Sequence, residues 1–288
     1  MFDENAKVFY HKIMKYEKKK DEIVVSDLSE FDITQIVECG QIFSYEKLGE
    51  NHFLIYSADK TCEVVQDEKC ATILTKDVDY FENFFDLSEN YCVFKQKLEN
   101  YPEMKDALKY GYGIRILRQD AFEMFVSFVI SANNNIPRIK NSIKFIRENA
   151  GRNMGEYFAF PTLEELSNCD VDFLVRAGLG YRASQLVKLL GQLTSVDFEE
   201  LKKMDTKSLR KFLITLTGIG PKVADCILLF GFSRKDVFPV DTWIVKIFHD
   251  KFGTTNNKNE MREALIKKFG DLSGVAQQYL FYHKREEG

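Results

Sequence analysis

The sequence predicts an α+β fold in which an N-terminal antiparallel β-sheet domain packs on a mostly α-helical body. Between residues 23 and 74, short apolar runs are separated by polar turns, as in hairpin-connected strands. After Asp77 the apolar residues recur at helical spacing. The 288 residues suffice for one large domain or two to three small ones. We therefore predict a sheet domain with peripheral helices over residues 1–115 and a helical domain over residues 116–288.

The composition is that of an ordinary globular protein, with 45% hydrophobic and 29% charged residues. No apolar run approaches the length of a membrane span, and residues 1–4 do not resemble a signal peptide. The six cysteines form no CxxC pair, so we expect reduced thiols in the cytosol.

The net charge of −4 argues mildly against a nucleic-acid partner. Basic residues nevertheless gather over 138–152, 176–188 and 202–211, which leaves both phosphate contacts and solvated helix faces open.

The predicted strands follow a charged N-terminal arm. Residues 1–20 have a helical pattern that ends in three lysines, and we expect a peripheral arm there. Alternating apolar and polar residues then predict strands over residues 23–25, 41–45, 53–56, 62–65 and 71–74. Gly40 precedes the second strand, where a glycine either forms a plain turn or lets the backbone approach a ligand closely.

The helical part contains two segments with unusual polar residues. Residues 121–132 are nearly continuous in apolar residues, which predicts a buried central helix. Three asparagines, 133–135, follow it and either cap a helix or read base edges. Residues 178–183 form a glycine-rich bend that carries an exposed tyrosine and an arginine.

The last predicted helix, over about residues 273–284, carries an amide and an aromatic ring on one face. Gln277 and Phe281 are four residues apart, so their side chains are neighbours. Such a pair can stack on a base and bond to its edge. Aromatic residues at helical spacing are more often core residues, and the pattern alone leaves both interpretations open.

The segment from residue 213 to 249 predicts helix, hairpin, helix, loop and helix. Gly218 and Gly220 allow a tight turn, and Pro221 suits the first turn of the next helix. A hairpin that presents free N–H groups at a helix N-terminus is a site for an anion such as a backbone phosphate. The alternative is a helix–helix turn with a surface lysine, and it is disfavoured once Pro239-Val240-Asp241 follows at this separation.

Lys222 is the predicted nucleophile. It lies in the first helical turn, where the helix dipole disfavours positive charge and so favours the free amine. Cys226 is four residues further on and shares a face with Lys222. Asp241 has the position of an acidic N-cap, which would fix its carboxylate at a helix start.

The chain resembles the helix-hairpin-helix DNA glycosylases whose motif ends in Gly-Pro-Asp, here Pro239-Val240-Asp241. Within that superfamily it is most similar to the 8-oxoguanine DNA glycosylases with DNA lyase activity. The resemblance covers most of the chain and is weakest before residue 23 and over residues 50–110. Its blocks occur in the family's order: Gly40-Gln41-Ile42-Phe43, Arg118-Gln119-Asp120, Asn133-Asn134-Asn135-Ile136, residues 178–183, residues 218–226, residues 239–241 and residues 277–281.

The resemblance implies a bifunctional glycosylase and AP lyase that acts in base excision repair. Lys222 would attack C1′ of the damaged nucleoside and form a Schiff base, and Asp241 would stabilise the developing charge on the sugar. The Gly40 carbonyl would accept a hydrogen bond from N7–H of 8-oxoguanine, a proton that guanine lacks. The other implied base-binding residues are Cys226 and Phe281, which would sandwich the flipped base, Gln277, which would bond its Watson–Crick edge, and Pro239.

The resemblance also implies contacts with the duplex. Asn133 would fill the gap left by the flipped base, and the hairpin glycines Gly218 and Gly220 would contact DNA. The orphaned partner base, usually cytosine, would be read by Arg138, Tyr181 and Arg182. A structural cation would be held by the carbonyls of Ile214, Leu216 and Ile219.

No cofactor is implied, and no iron–sulfur cluster, because no cysteine follows Cys226. We expect a monomer that binds duplex DNA and no membrane, in the cytoplasm with the nucleoid of a bacterium or in the nucleus of a eukaryote.

Two departures from the family pattern concern DNA and base contacts. Trp243 stands where a histidine phosphate contact is common, and Lys284 replaces an acidic residue near the base pocket.

Three alternatives remain open from the residues. A glycosylase of the same fold for alkylated bases normally works without a lysine at position 222. A non-catalytic helix-hairpin-helix DNA-binding module would leave Asp241 and the shared face of Lys222 and Cys226 unexplained. A cytosolic scaffold has only the net charge in its favour.

Overall fold

The computed structural model describes residues 14–287. Within them one antiparallel sheet has the strand order β1-β2-β6-β5-β4-β3. Its inner strands carry the alternation seen in the sequence: Phe53 and Ile55 of one strand and Cys62 and Val64 of the next are buried. The strands are β1 (Tyr16–Lys18), β2 (Glu22–Val25), β3 (Tyr45–Gly49), β4 (His52–Ser57), β5 (Lys60–Gln66) and β6 (Ala71–Leu74).

Four of the five predicted strands are confirmed, and the prediction for the N-terminal arm is wrong where the structure describes it. Tyr16–Lys18 is a strand that pairs with β2, with Tyr16 opposite Val25. The lysine-rich sequence reads as a solvated helix, but strand pairing satisfies the backbone of this short edge strand, and edge strands commonly carry lysine. Residues 1–13 of the predicted arm lie outside the described residues.

The predicted strand over residues 41–45 is also wrong, because β3 begins only at Tyr45. Residues 40–44 form a turn and a short irregular segment. The buried side chain of Gln41 holds this segment: it donates to the carbonyls of Ile36 at 2.9 Å and Arg115 at 2.8 Å. Hydrogen bonds to distant backbone thus replace a sheet ladder at this position.

The helices account for the remainder of the regular structure. A helix begins at an aspartate cap in several cases, such as Asp120 and Asp205, whose carboxylates accept a first-turn N–H. The helices are α1 (Ile33–Glu38), α2 (Val78–Phe84), α3 (Tyr91–Leu98), α4 (Lys105–Tyr110), α5 (Ala121–Ser131), α6 (Ile136–Ala150), α7 (Leu163–Ser167), α8 (Val171–Arg176), α9 (Arg182–Leu193), α10 (Phe198–Lys203), α11 (Thr206–Thr215), α12 (Pro221–Gly231), α13 (Thr242–Lys251), α14 (Lys258–Phe269) and α15 (Ser273–Glu287).

Helix α5 is the buried centre of the helical body, as the sequence predicts. Phe125 and Val126 have no exposed surface. Helix α12, which carries Lys222, packs along α5, and Phe128 of α5 stacks on Phe230 of α12 with ring centroids 5.5 Å apart. The helix that carries the predicted nucleophile therefore packs on a helix whose residues are almost all buried.

Two hydrophobic cores correspond to the sheet and to the helical body. The sheet core includes Phe53, Phe81 and Leu117, whereas the helical core includes Leu98 of α3 and Leu108 of α4. These two helices precede residue 115, so the helical body takes buried side chains from both sides of the predicted boundary. None of the helices within residues 14–287 is long and apolar enough to cross a membrane.

Glu123 of α5 joins the helical body to the sheet domain. Its carboxylate accepts hydrogen bonds from the Ser44 hydroxyl at 2.5 Å and from the Ala58 amide at 3.0 Å. Burial is the main cause that raises the pKa of Glu123 to about 7, and the two hydrogen bonds oppose it.

This raised pKa predicts a pH-dependent stability. The contribution of Glu123 is fully present below its unfolded pKa and is lost as the pH rises through about 7. Between about pH 4.5 and pH 8, we expect the unfolding free energy of wild type to fall by about 3 kcal/mol more than that of Glu123→Gln. Urea unfolding at each pH measures this difference. The exposed Glu199→Gln variant serves as control, and parallel profiles for wild type and Glu123→Gln would contradict the prediction.

Candidate active site

A narrow pocket lies where the turn after α1, helices α5, α12 and α15, and the start of α13 meet. Its cavity volume is about 40 Å³, which is room for only a few water molecules. A purine base can therefore enter only if lining side chains move. The pocket is lined by Gly40, Phe128, Lys222, Cys226, Phe230, Pro239, Asp241, Gln277, Gln278 and Phe281.

Lys222 reaches the pocket from the first turn of α12. Gly218, with φ +81°, turns the hairpin between α11 and α12, and Gly220 is the N-cap of α12. The half-buried Lys222 places its Nζ 5.3 Å from the centroid of the Phe128 ring. In the described part of the chain Lys222 forms no ion pair. The amine is thus held beside the pocket without a carboxylate that would fix it as a salt bridge.

Cys226 lies one turn after Lys222 and is 4% exposed. Burial raises the pKa of its thiol to about 11, although the nearby Lys222 opposes this shift. The sulfur is therefore neutral near pH 7 and offers a polarizable, uncharged wall to the pocket.

Asp241 is the N-cap of α13, as the sequence predicts. Its carboxylate accepts the Ile244 N–H at 2.9 Å, which fixes its orientation at the pocket. Burial is the main cause that raises the pKa of Asp241 above its usual value, while the Ile244 hydrogen bond and the charge of Lys222 oppose this shift. The nearby charge of Lys222 thus favours the ionised form of the Asp241 carboxylate.

Helix α15 supplies the opposite wall with Gln277 and Phe281. Gln277 is 5% exposed, and its Oε1 is buried without a hydrogen-bond partner in residues 14–287. A buried amide oxygen without a partner is costly, so a ligand that donates to it would recover the lost hydrogen bond. Phe281 is half-buried on the same face and lies against Gly40.

The predicted duplex contacts divide into exposed and buried residues. Asn133 is exposed and has a positive φ of +50°, and Tyr181 is 58% exposed. Arg138 is exposed in the first turn of α6. Arg182, in contrast, is 7% exposed: it donates through Nε to the Ala132 carbonyl at 2.6 Å and through Nη2 to the Asn133 carbonyl at 2.7 Å. In this conformation Arg182 holds the Asn133 turn rather than presenting its guanidinium to solvent.

The hairpin between α11 and α12 is the predicted site of both a phosphate and a cation. No side chain caps α12, which leaves the first-turn N–H groups available to an anion. Ile214 lies in the last turn of α11 and Leu216 is its C-cap, so both carbonyls belong to the partly unpaired end of that helix. The Leu216 carbonyl accepts the Ile219 N–H at 3.2 Å and retains a second lone pair. Carbonyl oxygens are ligands that hard cations prefer, and the cation site at Ile214, Leu216 and Ile219 stays a prediction.

Neither of the two departures from the family pattern lines the pocket. Lys284 forms ion pairs with Asp250 at 3.2 Å and Glu287 at 3.5 Å, and it does not line the pocket. Trp243 is half-buried, and the Lys246 Nζ lies 4.3 Å from its ring.

Sequence reasoning missed three pocket residues: Phe128, Phe230 and Gln278. The two phenylalanines lie in apolar helices, where nothing in the pattern separates a pocket wall from the core. Gln278 follows Gln277, and two consecutive glutamines in an otherwise apolar stretch are a weak signal at most. A larger groove, about 350 Å³, adjoins the pocket between the first turns of α12 and α14 and includes Lys258.

Comparisons with known proteins identify the family of the chain. The family model for the N-terminal domain of 8-oxoguanine DNA glycosylase matches residues 23–125. A probable N-glycosylase/DNA lyase of Methanothermobacter thermautotrophicus is 33% identical over 242 residues, which cover 75% of this chain and 76% of that protein. The N-glycosylase/DNA lyase of Saccharomyces cerevisiae is 27% identical over 319 residues, covering 88% of this chain and 83% of that protein.

A solved structure resembles nearly the whole chain. It is the Clostridium acetobutylicum 8-oxoguanine glycosylase/lyase in complex with double-stranded DNA containing cytosine opposite 8-oxoguanine. It aligns with a TM-score of 0.89 and 34% identity, covering 96% of this chain and 99% of that chain. The chain therefore belongs to the N-glycosylase/DNA lyase family of 8-oxoguanine DNA glycosylases.

Proposed function

We propose that this protein is a bifunctional DNA glycosylase and AP lyase that excises 8-oxoguanine from duplex DNA in base excision repair. The observation that carries the proposal is the pocket itself, which brings Lys222 and Asp241 together with Gly40, Gln277 and Phe281 from distant parts of the chain. The names of its relatives support the same activity.

The first step removes the base. The Lys222 amine attacks C1′, the C1′–N9 bond breaks, and the bond's electron pair leaves with the base, which takes up a proton. The Asp241 carboxylate faces the sugar and stabilises positive charge that develops there. Loss of the amine proton and opening of the sugar ring give a Schiff base between Nζ and C1′.

The second step cuts the strand. The protonated Schiff base makes a C2′ proton acidic, so that its removal pushes electrons into a C2′–C3′ double bond and expels the 3′ phosphate. Water then hydrolyses the Schiff base and frees Lys222. The route uses side chains only and requires no cofactor.

Recognition of the lesion depends on atoms that the pocket leaves available. The Gly40 carbonyl accepts N7–H of 8-oxoguanine, whereas guanine would place a lone pair against it. Gln277 bonds the Watson–Crick edge, and Cys226 and Phe281 enclose the base plane, with Pro239 beside them. Because the cavity is about 40 Å³, lining side chains have to move as the base enters.

The exposed hairpin and turn residues contact the duplex. The Gly218–Gly220 hairpin binds a phosphate, Asn133 fills the space left by the flipped nucleotide, and Arg138 and Tyr181 contact the partner base, cytosine in the usual case. Arg182 supports this surface by holding the Asn133 carbonyl. The protein acts as a monomer wherever the cell keeps its DNA: with the nucleoid in a bacterium, or in the nucleus of a eukaryote.

Borohydride trapping tests the substrate and the mechanism together. Duplexes carry a single 8-oxoguanine opposite each of the four bases, or an alkylated purine, and borohydride reduces a Schiff base to a permanent crosslink. We expect a crosslink with 8-oxoguanine, most efficiently opposite cytosine. A crosslink with the alkylated purine alone would contradict 8-oxoguanine as the substrate. Tight binding without any crosslink would favour a non-catalytic DNA-binding module.

A further inference from the structure

The turn after α1 has an unusual pattern of carbonyl partners. The Glu38 carbonyl accepts Nη2 of Arg285 at 2.6 Å, and the Cys39 carbonyl accepts Nε2 of Gln278 at 2.6 Å. The Gln41 carbonyl accepts Nε2 of Gln119 at 2.8 Å. No donor within residues 14–287 bonds to the Gly40 carbonyl between them. One acceptor in this run of four is thus left for a ligand.

The three donors lie far from the turn in the sequence and belong to the helical body. Gln278 and Arg285 lie on α15, and Gln119 immediately precedes the cap of α5. Gln278 is 2% exposed and Gln119 is 7% exposed, so these hydrogen bonds are shielded from competing water. They fix the turn relative to the helix that carries Gln277 and Phe281.

Gly40 shows how closely the turn is pressed against α15. Its φ is +83°, and a Cβ at this position would lie 3.1 Å from Cε1 of Phe281 and 3.2 Å from Nη1 of Arg285. Only glycine meets both conditions without strain. The peptide that carries the free carbonyl is therefore held against one wall of the pocket.

We propose that Gln278, Arg285 and Gln119 are positioning residues for lesion recognition. By occupying the neighbouring carbonyls they prevent the turn from rotating and keep the Gly40 carbonyl directed at the base. This inference rests on the proposed function, in which that carbonyl accepts N7–H of 8-oxoguanine. A fixed carbonyl discriminates between 8-oxoguanine and guanine, because it can neither rotate away from the N7 lone pair of guanine nor accept a hydrogen bond elsewhere.

The test compares base excision with a reaction that needs no base. Gln278→Leu and Arg285→Met are assayed under single-turnover conditions on an 8-oxoguanine:cytosine duplex and on a duplex with a preformed abasic site. Cleavage at the abasic site uses Lys222 but not the Gly40 carbonyl. We expect each variant to slow 8-oxoguanine excision about ten-fold, the worth of one well-placed hydrogen bond. Abasic-site cleavage should stay within about two-fold of wild type.

Two matched controls lie outside the pocket. Lys109→Met removes the same charge as Arg285→Met at an exposed position of α4, and Gln96→Leu makes the same change as Gln278→Leu at an exposed position of α3. Both should excise 8-oxoguanine within about two-fold of wild type.

Binding gives a second readout that a purely structural role would not move. In a Lys222→Gln background, the ratio of dissociation constants for guanine and 8-oxoguanine duplexes should fall about ten-fold when Gln278 becomes leucine. An unchanged ratio, or equal losses in excision and abasic-site cleavage, would overturn the positioning role. Wild-type protein that cleaves abasic sites but never excises 8-oxoguanine would instead overturn the proposed substrate, and this inference with it.

Discussion

Replacing Lys222 with glutamine is expected to abolish both the borohydride crosslink and strand cleavage while DNA binding persists. An amide nitrogen cannot form a Schiff base, and within residues 14–287 no other amine lines the pocket. Loss of a nucleophile typically slows such enzymes by at least about a thousand-fold. Glutamine has a similar length and keeps the half-buried position filled, so the hairpin and the lesion pocket should remain intact.

Two measurements on one preparation separate catalysis from binding. Single-turnover cleavage on a denaturing gel gives the rate, and fluorescence anisotropy gives the dissociation constant for 8-oxoguanine duplex. Lys246→Gln, which changes an exposed lysine beside Trp243, is the matched control and should retain the crosslink. A crosslink that survives in Lys222→Gln would assign the nucleophile to a different amine.

Replacing Asp225 with asparagine is expected to destabilise the protein by about 3–5 kcal/mol, because it leaves two cations facing a neutral amide. The Asp225 side chain is 1% exposed, and its carboxylate accepts Nε of Arg210 and Nε of Arg262, both at 2.7 Å. These bonds tie α12 to α11 and α14. Asp225 immediately precedes Cys226, so the same clamp holds the helix that carries Lys222.

Urea unfolding measures this loss against a surface pair. Asp250→Asn breaks the exposed ion pair with Lys284, where the side chain of Asp250 is 54% exposed. Such pairs contribute at most about 1 kcal/mol. Equal losses in the two variants would show that the Asp225 clamp contributes no more than a surface salt bridge.

Local sequence determined the backbone structure around Lys222 and Asp241. A glycine with positive φ, a proline in the first helical turn and an aspartate N-cap each act within a few residues, so the hairpin at Gly218, the start of α12 and the orientation of Asp241 are predictable. The inner strands follow from local alternation in the same way. These features need no knowledge of what packs on them.

Long-range partners decided the remainder. The predicted strand over residues 41–45 does not form, because the Gln41 side chain donates to the distant backbone carbonyl of Arg115. Arg182 is buried because it donates to the carbonyls of Ala132 and Asn133. Neither outcome follows from spacing, since each depends on how two distant segments pack.

The pocket shows most clearly which features local sequence determines and which depend on tertiary packing. The sequence by itself determined that a lysine, an acidic cap and a glycine turn are present. The resemblance to the 8-oxoguanine DNA glycosylases implied a role for each of them in one reaction. Only the tertiary structure decided which carbonyl of the turn is free, because its neighbours are bonded by Gln278 and Arg285 from more than 200 residues away. Hydrogen-bond partners at such separation are set by the packing of α15 against the turn, which no local pattern encodes.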